Sequence, residues 1–98
     1  MIKRSKGKSA DKVKVTFAVA NNPEQPTVSV VGDFNEWNPG KTKLIKRNNG
    51  TRSVSVQLDK GESYRFRYYT ADGDWFNDEA ADAYVQGEHG ADDCILRL

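Results

Sequence analysis

Ninety-eight residues, 37% hydrophobic and 30% charged, suffice for one small domain that buries a thin core and keeps much of its surface wet. A formal net charge of +1 gives no global pull toward nucleic acid or a lipid surface, and no apolar run approaches the roughly 20 residues of a membrane helix. The single cysteine, Cys94, excludes an internal disulfide, fits a reducing compartment, and reads as a small core residue in the apolar run near the C-terminus.

The chain opens on MIKRSKGKSA, basic and without periodicity. Residues 1–10 are expected to be a disordered head. No apolar h-region follows, so they do not read as a secretory signal, and the cytoplasm is the default location. From Lys12 the pattern changes abruptly. Val13, Val15, Phe17 and Val19 alternate with Lys14, Thr16 and Ala18, the period of a half-buried strand. Asn21-Asn22-Pro23 ends it. A second strand, 27–31, delivers VVGDFNEWNP, in which a tryptophan sits between the turn signals Gly32-Asp33 and Asn38-Pro39-Gly40. A weaker strand follows at 43–46, with Leu44 or Ile45 inward.

Asn48-Asn49-Gly50 is a hairpin signal, because Asn-Gly tolerates the positive φ such turns need. The strand 53–58 follows, with Val54, Val56 and Leu58 alternating, and Asp59-Lys60-Gly61 turns the chain again. In the strand 64–69, Tyr64, Phe66 and Tyr68 face the core, which puts Arg65, Arg67 and Tyr69 side by side on the other face. Ala71-Asp72-Gly73-Asp74 leads into Trp75-Phe76. Residues 80–84 are ambiguous between a helical turn and a loop. The stretch 87–90, with the only histidine, His89, reads as a loop, and 94–98 as a last strand. Six to eight short strands with frequent turn signals predict an all-β domain over 11–98, an antiparallel β-sandwich, with a small oligonucleotide-binding-type barrel as the alternative.

Catalytic and metal chemistry are poorly supported. One histidine and one thiol without spacing partners make no zinc site. Asp72, Asp74 and Asp78 lack the glycine and terminal glutamate of a calcium loop. There is no nucleophile motif and no phosphate-cradling glycine loop. What remains is an aromatic and polar inventory: Trp37, Trp75, Tyr69, Arg65, Arg67, Asn35, Asn38 and Asn77. An indole offers a flat apolar surface to the C–H face of a pyranose, while amides and guanidinium groups bond its hydroxyls. The plainer reading makes both tryptophans plugs at the ends of the sandwich and Arg65 and Arg67 a solvated face.

VVGDFNEWNP, LDKGESYRFRYYTADGDW and DDCILRL, in this order and spacing, resemble the early-set domains of isoamylases and glycogen branching enzymes. They are similar also to the glycogen-binding module of the AMP-activated kinase β subunit, that is, to family-48 carbohydrate-binding modules. The likeness covers about residues 12–98. It implies an immunoglobulin-like sandwich, no catalytic activity, no cofactor, and stacking of glucose rings on Trp37 and Trp75. Arg67, or Arg65, would be the base that bonds hydroxyls, and Asp92 or Asp93 stands where kinase-type modules carry an asparagine. The short chain looks like stand-alone bacterial versions that lack a catalytic barrel. Where kinase-type modules carry an apolar residue in the last loop, this chain has Gly87-Glu88-His89-Gly90, which implies a weaker or more open site.

The expected function is therefore binding of an α-1,4-glucan, glycogen or a maltooligosaccharide, through Trp37, Trp75, Arg67, Arg65, Asn35, Tyr69 and Asp92. The alternative is a docking or structural domain associated with a glycogen-metabolic enzyme, its exposed aromatics serving as interface anchors. Nucleic-acid binding by the basic head with Arg65, Arg67 and Tyr69 is disfavoured by the balanced charge and by the acidic stretch around Trp75.

Overall fold

The computed structural model describes residues 1–87 and 91–98, so His89 and most of the 87–90 loop lie outside the described residues. Two antiparallel sheets pack face to face as an immunoglobulin-like sandwich. The first sheet has the order β1-β2-β5-β4, from Ile2–Lys6, Lys12–Ala20, Thr51–Asp59 and Ile45–Lys46. The second has the order β3-β6-β9-β8, from Val28–Gly32, Ser63–Thr70, Asp92–Arg97 and Ala83–Gln86; a two-residue strand β7, Trp75–Phe76, also pairs with β6. The period-two pattern of the sequence is what the two inner faces require. Val15, Phe17, Val28, Val30, Phe66, Tyr68, Cys94 and Leu96 form the core, with Val54, Val56 and Tyr64 packed at its margin.

Three segments differ from the expectation. The basic head is not disordered: Ile2–Lys6 pairs with β2 in the register Ile2↔Phe17 to Lys6↔Val13. Its backbone supplies the ladder while Lys3, Arg4, Ser5 and Lys6 stay exposed, which is why no alternation marks it. The stretch 43–46 belongs to neither sheet alone. Val30 N–H bonds Thr42 O and Leu44 N–H bonds Val28 O, after which Ile45 and Lys46 pair with β5. This crossing turns Leu44 inward and leaves Ile45 exposed. Residues 80–84 divide into a turn and the start of β8.

Two buried polar groups tie the loops to the core. Arg52 is only 3% exposed and donates to Asn21 Oδ1, Asn22 O, Gln25 O and Pro26 O at 2.7–3.0 Å, clamping the 21–26 loop without a carboxylate partner among the described residues. Asp78 accepts from the Tyr68 hydroxyl (2.6 Å), the Met1 ammonium (2.8 Å) and the Ala80 N–H (2.8 Å). Burial, reinforced by Asp78, pushes the Tyr68 hydroxyl far above its ordinary range. Cys94 is a core residue that accepts the Asp78 N–H, and burial raises its thiol pKa.

Candidate functional site

The outer face of the second sheet carries the candidate site. Because Phe66, Tyr68 and Thr70 turn into the sandwich, Arg65, Arg67 and Tyr69 project together from β6 on the other side. Register adds their neighbours: Val31 beside Arg67, Ser29 and Trp75 on either side of Tyr69, and Ile95 beside Arg65.

Trp75 is 44% exposed, although its indole has two neighbours. The Tyr69 ring lies 4.6 Å away between centroids, tilted by 56°, and the Arg67 guanidinium carbon sits 5.4 Å from the indole centroid. An indole left in water costs free energy, so one that is packed against neighbours on its sides yet exposed marks a surface shaped for contact. Arg67 is held from a second side, its Nε donating to Asn77 Oδ1 at 3.1 Å. Among the described residues, neither of its Nη nitrogens has a hydrogen-bond partner.

Trp37 arrives by a different route. After Gly32 a short 3₁₀ turn, Asp33–Asn35, reverses the chain, and Glu36 and Trp37 both take left-handed backbone, φ 61° and 56°. Two consecutive non-glycine residues in this region are strained and persist only where the surroundings impose them. Here Trp37 N–H bonds Gly32 O (3.0 Å), and the indole N–H donates to Asp33 Oδ1 (3.0 Å). Asp33 Oδ2 in turn accepts the Arg65 N–H at 2.9 Å, just beyond the end of the β3–β6 ladder. The half-buried Trp37 is thereby pinned to β6 at Arg65, while Trp75 pairs with β6 at Tyr69. Arg65 and Tyr69 are four residue steps apart on β6, so these anchor points lie roughly 13 Å from each other. Trp37 makes no aromatic contact with Trp75.

Two expected contacts change role. Asn35 is buried, 7% exposed. Its Oδ1 accepts the Gly32 N–H, and its Nδ2 donates to Val30 O and Thr42 Oγ1, so both amide hydrogens are consumed in shaping the loop. It has no donor left for a ligand. Asp92 has the strand parity of buried Cys94 and Leu96, so the face with Arg65 and Arg67 carries Asp93 instead. Asp93 lies 3.9 Å from Arg65 Nη1, whereas Asp92 contributes its carbonyl to Asn77 Nδ2 (2.9 Å).

Of the residues that shape this face, Asp33 is not among the candidates read from the sequence, Asn77 stands there only in the polar inventory, and Asp93 only as the alternative to Asp92. For Asp93 the two-residue period of β9 was the available signal; for Asn77 only its position two residues after Trp75.

A hollow of about 300 Å³ flanks Tyr69 on this side, walled by Thr27, Ser29, Pro39, Gly40 and Lys43. A larger one, about 490 Å³, lies on the core side of β7 beside Phe76, Tyr68 and Asp78, whose polar atoms bond one another. It is not on the Trp75 face. The Asp72–Asp78 run does not converge either: Asp72 bonds Thr70 and Asp78 is buried. Among the described residues, no group of three His, Cys, Asp or Glu side chains is placed to hold a metal ion.

The chain is similar to known proteins over most of its length. The chain is 31% identical over 68 residues to the 1,4-alpha-glucan branching enzyme GlgB of Aquifex aeolicus, covering 68% of this chain and 11% of that enzyme. It is 34% identical over 71 residues to the GlgB of Synechococcus elongatus (71% of this chain, 9% of the relative). To the amylopullulanase of Thermoanaerobacter thermohydrosulfuricus it is 30% identical over 82 residues (80% and 5%). The chain thus spans about a tenth or less of these relatives' length. Carbohydrate-binding module 48 (isoamylase N-terminal domain) matches residues 7–85, an interval that contains the Trp37 loop, β6 and Trp75. An exposed aromatic sheet face on a small all-β sandwich, and a family match over most of its length, lead to one conclusion: the chain belongs to the carbohydrate-binding module 48 family, a non-catalytic module.

Proposed function

We propose that this domain binds α-1,4-glucan, as glycogen or a maltooligosaccharide, on the outer face of its second sheet. The observation that carries the reading is Trp75, 44% exposed yet packed against Tyr69 and Arg67. Its open indole face takes the C–H side of a glucose ring. Arg67 beside it supplies Nη donors to the hydroxyls, and Arg65, with Asp93 as an acceptor, extends the polar border. Trp37 offers a second platform displaced along β6. Its indole N–H is already engaged by Asp33, so it contributes apolar contact and no hydrogen bond from that nitrogen. Two platforms separated along a strand suit a curved glucan better than a flat crystalline one.

If each indole loses about 100 Å² to the sugar at about 25 cal/mol per Å², the gross gain is about 5 kcal/mol. Ordering and desolvation of hydroxyls offset part of it, which leaves dissociation constants on the order of 10⁻⁵ to 10⁻³ M. The test is native electrophoresis through gels with and without glycogen. Retardation that disappears in Trp75→Ala and persists at raised salt supports the reading, because a neutral polymer binds without counterion release. Mobility unaffected by glycogen contradicts it and favours a domain that docks another protein.

A further inference from the structure

We infer that Asn77 is the positioning residue of this surface, holding the Arg67 guanidinium beside Trp75 with its Nη donors turned outward; the inference rests on the glucan reading of the same face. Asn77 follows β7 directly and uses both ends of its carboxamide. Oδ1 accepts Arg67 Nε at 3.1 Å, and Nδ2 donates to Asp92 O at 2.9 Å. Only one orientation of the amide satisfies both bonds, since the flipped group would set donor against donor and oxygen against oxygen. The Asp92 contact ties the end of β7 to the start of β9, so the acceptor facing Arg67 is fixed by two strands. The bond uses Nε alone and leaves the four Nη hydrogens for hydroxyls.

The alternative for Arg67 explains why a brace is needed. The β6–β9 ladder ends at Phe66↔Cys94, one residue short of Arg67 and Asp93, and the Asp93 carboxylate lies 3.9 Å from Arg65 Nη1. An unbraced Arg67 is free to swing onto this carboxylate and withdraw its donors from the Trp75 face. Asn77 on one side and the Trp75 indole, 5.4 Å away, on the other oppose that collapse. Lysine could not replace it, having a single charged tip where both restraints require a planar fork.

The experiment follows the Arg67 side-chain Nε–H by NMR in the full ¹⁵N-labelled chain, identified by its loss in Arg67→Lys, and measures maltoheptaose affinity in parallel. In the wild type this hydrogen exchanges more slowly than the Nε–H of exposed Arg97. Asn77→Ala brings it to the Arg97 rate and weakens maltoheptaose binding about 5-fold, the cost of ordering one long side chain anew. Asn77→Asp keeps an acceptor for Arg67 Nε, now charged, but sets its second oxygen against Asp92 O, so both readouts are expected to fall between those of Asn77→Ala and the wild type. A purely structural role would not separate these two variants, and the backbone amide spectrum checks that each is folded. Wild-type Nε–H exchange as fast as that of Arg97, or undiminished binding by folded Asn77→Ala, overturns the inference. So does Nε–H exchange in folded Asn77→Asp as fast as in Asn77→Ala. Absence of maltoheptaose binding by the wild type overturns the glucan reading, while the Nε–H comparison still scores the brace on its own.

Discussion

Replacing Trp75 by alanine separates binding from folding more cleanly than any other change on this face. A tryptophan side chain carries about 250 Å² of surface, and at 44% exposure about 110 Å² of Trp75 is open to a ligand. Covering most of that area with a sugar is worth about 2.5 kcal/mol at 25 cal/mol per Å², and incomplete coverage reduces this to about 2 kcal/mol. Trp75→Ala is therefore expected to raise the dissociation constant for maltoheptaose about 30-fold. The fold should change little, because the lost packing is mainly the tilted contact with Tyr69, worth about 1 kcal/mol. Trp37→Ala should behave differently. It vacates a half-buried site and removes the indole hydrogen bond to exposed Asp33, so it lowers stability by about 2 kcal/mol as well as weakening binding. Isothermal titration with maltoheptaose, paired with urea unfolding, reads both quantities. Unaltered affinity in Trp75→Ala, with the urea midpoint also unaltered, would refute the stacking argument.

Arg52→Met should cost about 2–3 kcal/mol of stability, because it abandons four acceptors in the 21–26 loop; an unchanged urea midpoint would contradict the clamp. Its effect on maltoheptaose affinity should be small, since Arg52 lies in the other sheet. Gly32→Ala should destabilise severely, by about 3 kcal/mol or more, as its Cβ would fall 2.4 Å from Arg65 O and 2.9 Å from Phe66 Cβ; native-like thermal stability would contradict this. Burial by itself raises the Asp78 pKa, but hydrogen bonds from the Met1 ammonium, the Tyr68 hydroxyl and the Ala80 N–H outweigh it and hold the carboxyl below its ordinary 3.8. With the folded value depressed, the unfolded chain takes up the proton first as pH falls. The stabilisation is thus complete above the unfolded value and is lost as pH drops through the lower folded one. The difference in urea midpoint between wild type and Asp78→Asn should be constant from about pH 7 to 5 and shrink below about pH 4. A difference still undiminished at the acid end would contradict it.

Most of the sandwich was legible because burial of one face writes a period of two into a strand. Val13 to Val19, Val54 to Leu58 and Tyr64 to Tyr68 all carry that signature, and β6 displayed the Arg65, Arg67 and Tyr69 face directly. Strands that bury little leave no such trace. Lys3–Lys6 pairs through its backbone while its side chains remain in water, and β8 alternates between half-buried and exposed residues. Polar residues hid their roles more fully. Asn35 and Arg52 read as surface groups by type, yet each is buried because local carbonyls and hydroxyls satisfy it, which depends on how distant loops meet. Gly32 looked like a turn glycine, but its backbone is extended. It is glycine because β6 leaves no room for a Cβ. Asp33 and Asn77 act through neighbours that tertiary pairing alone brings together.

The most direct test of the account is an NMR titration of the labelled protein with maltoheptaose, following both indole N–H signals and the β6 amides. Saturable shifts at Trp75 and at the amides of Arg67 and Tyr69 are predicted. A smaller change is expected at the Trp37 indole N–H, which stays bonded to Asp33. Spectra unmoved at millimolar sugar, or shifts confined to the first sheet, would contradict the assignment of this face as a glucan surface.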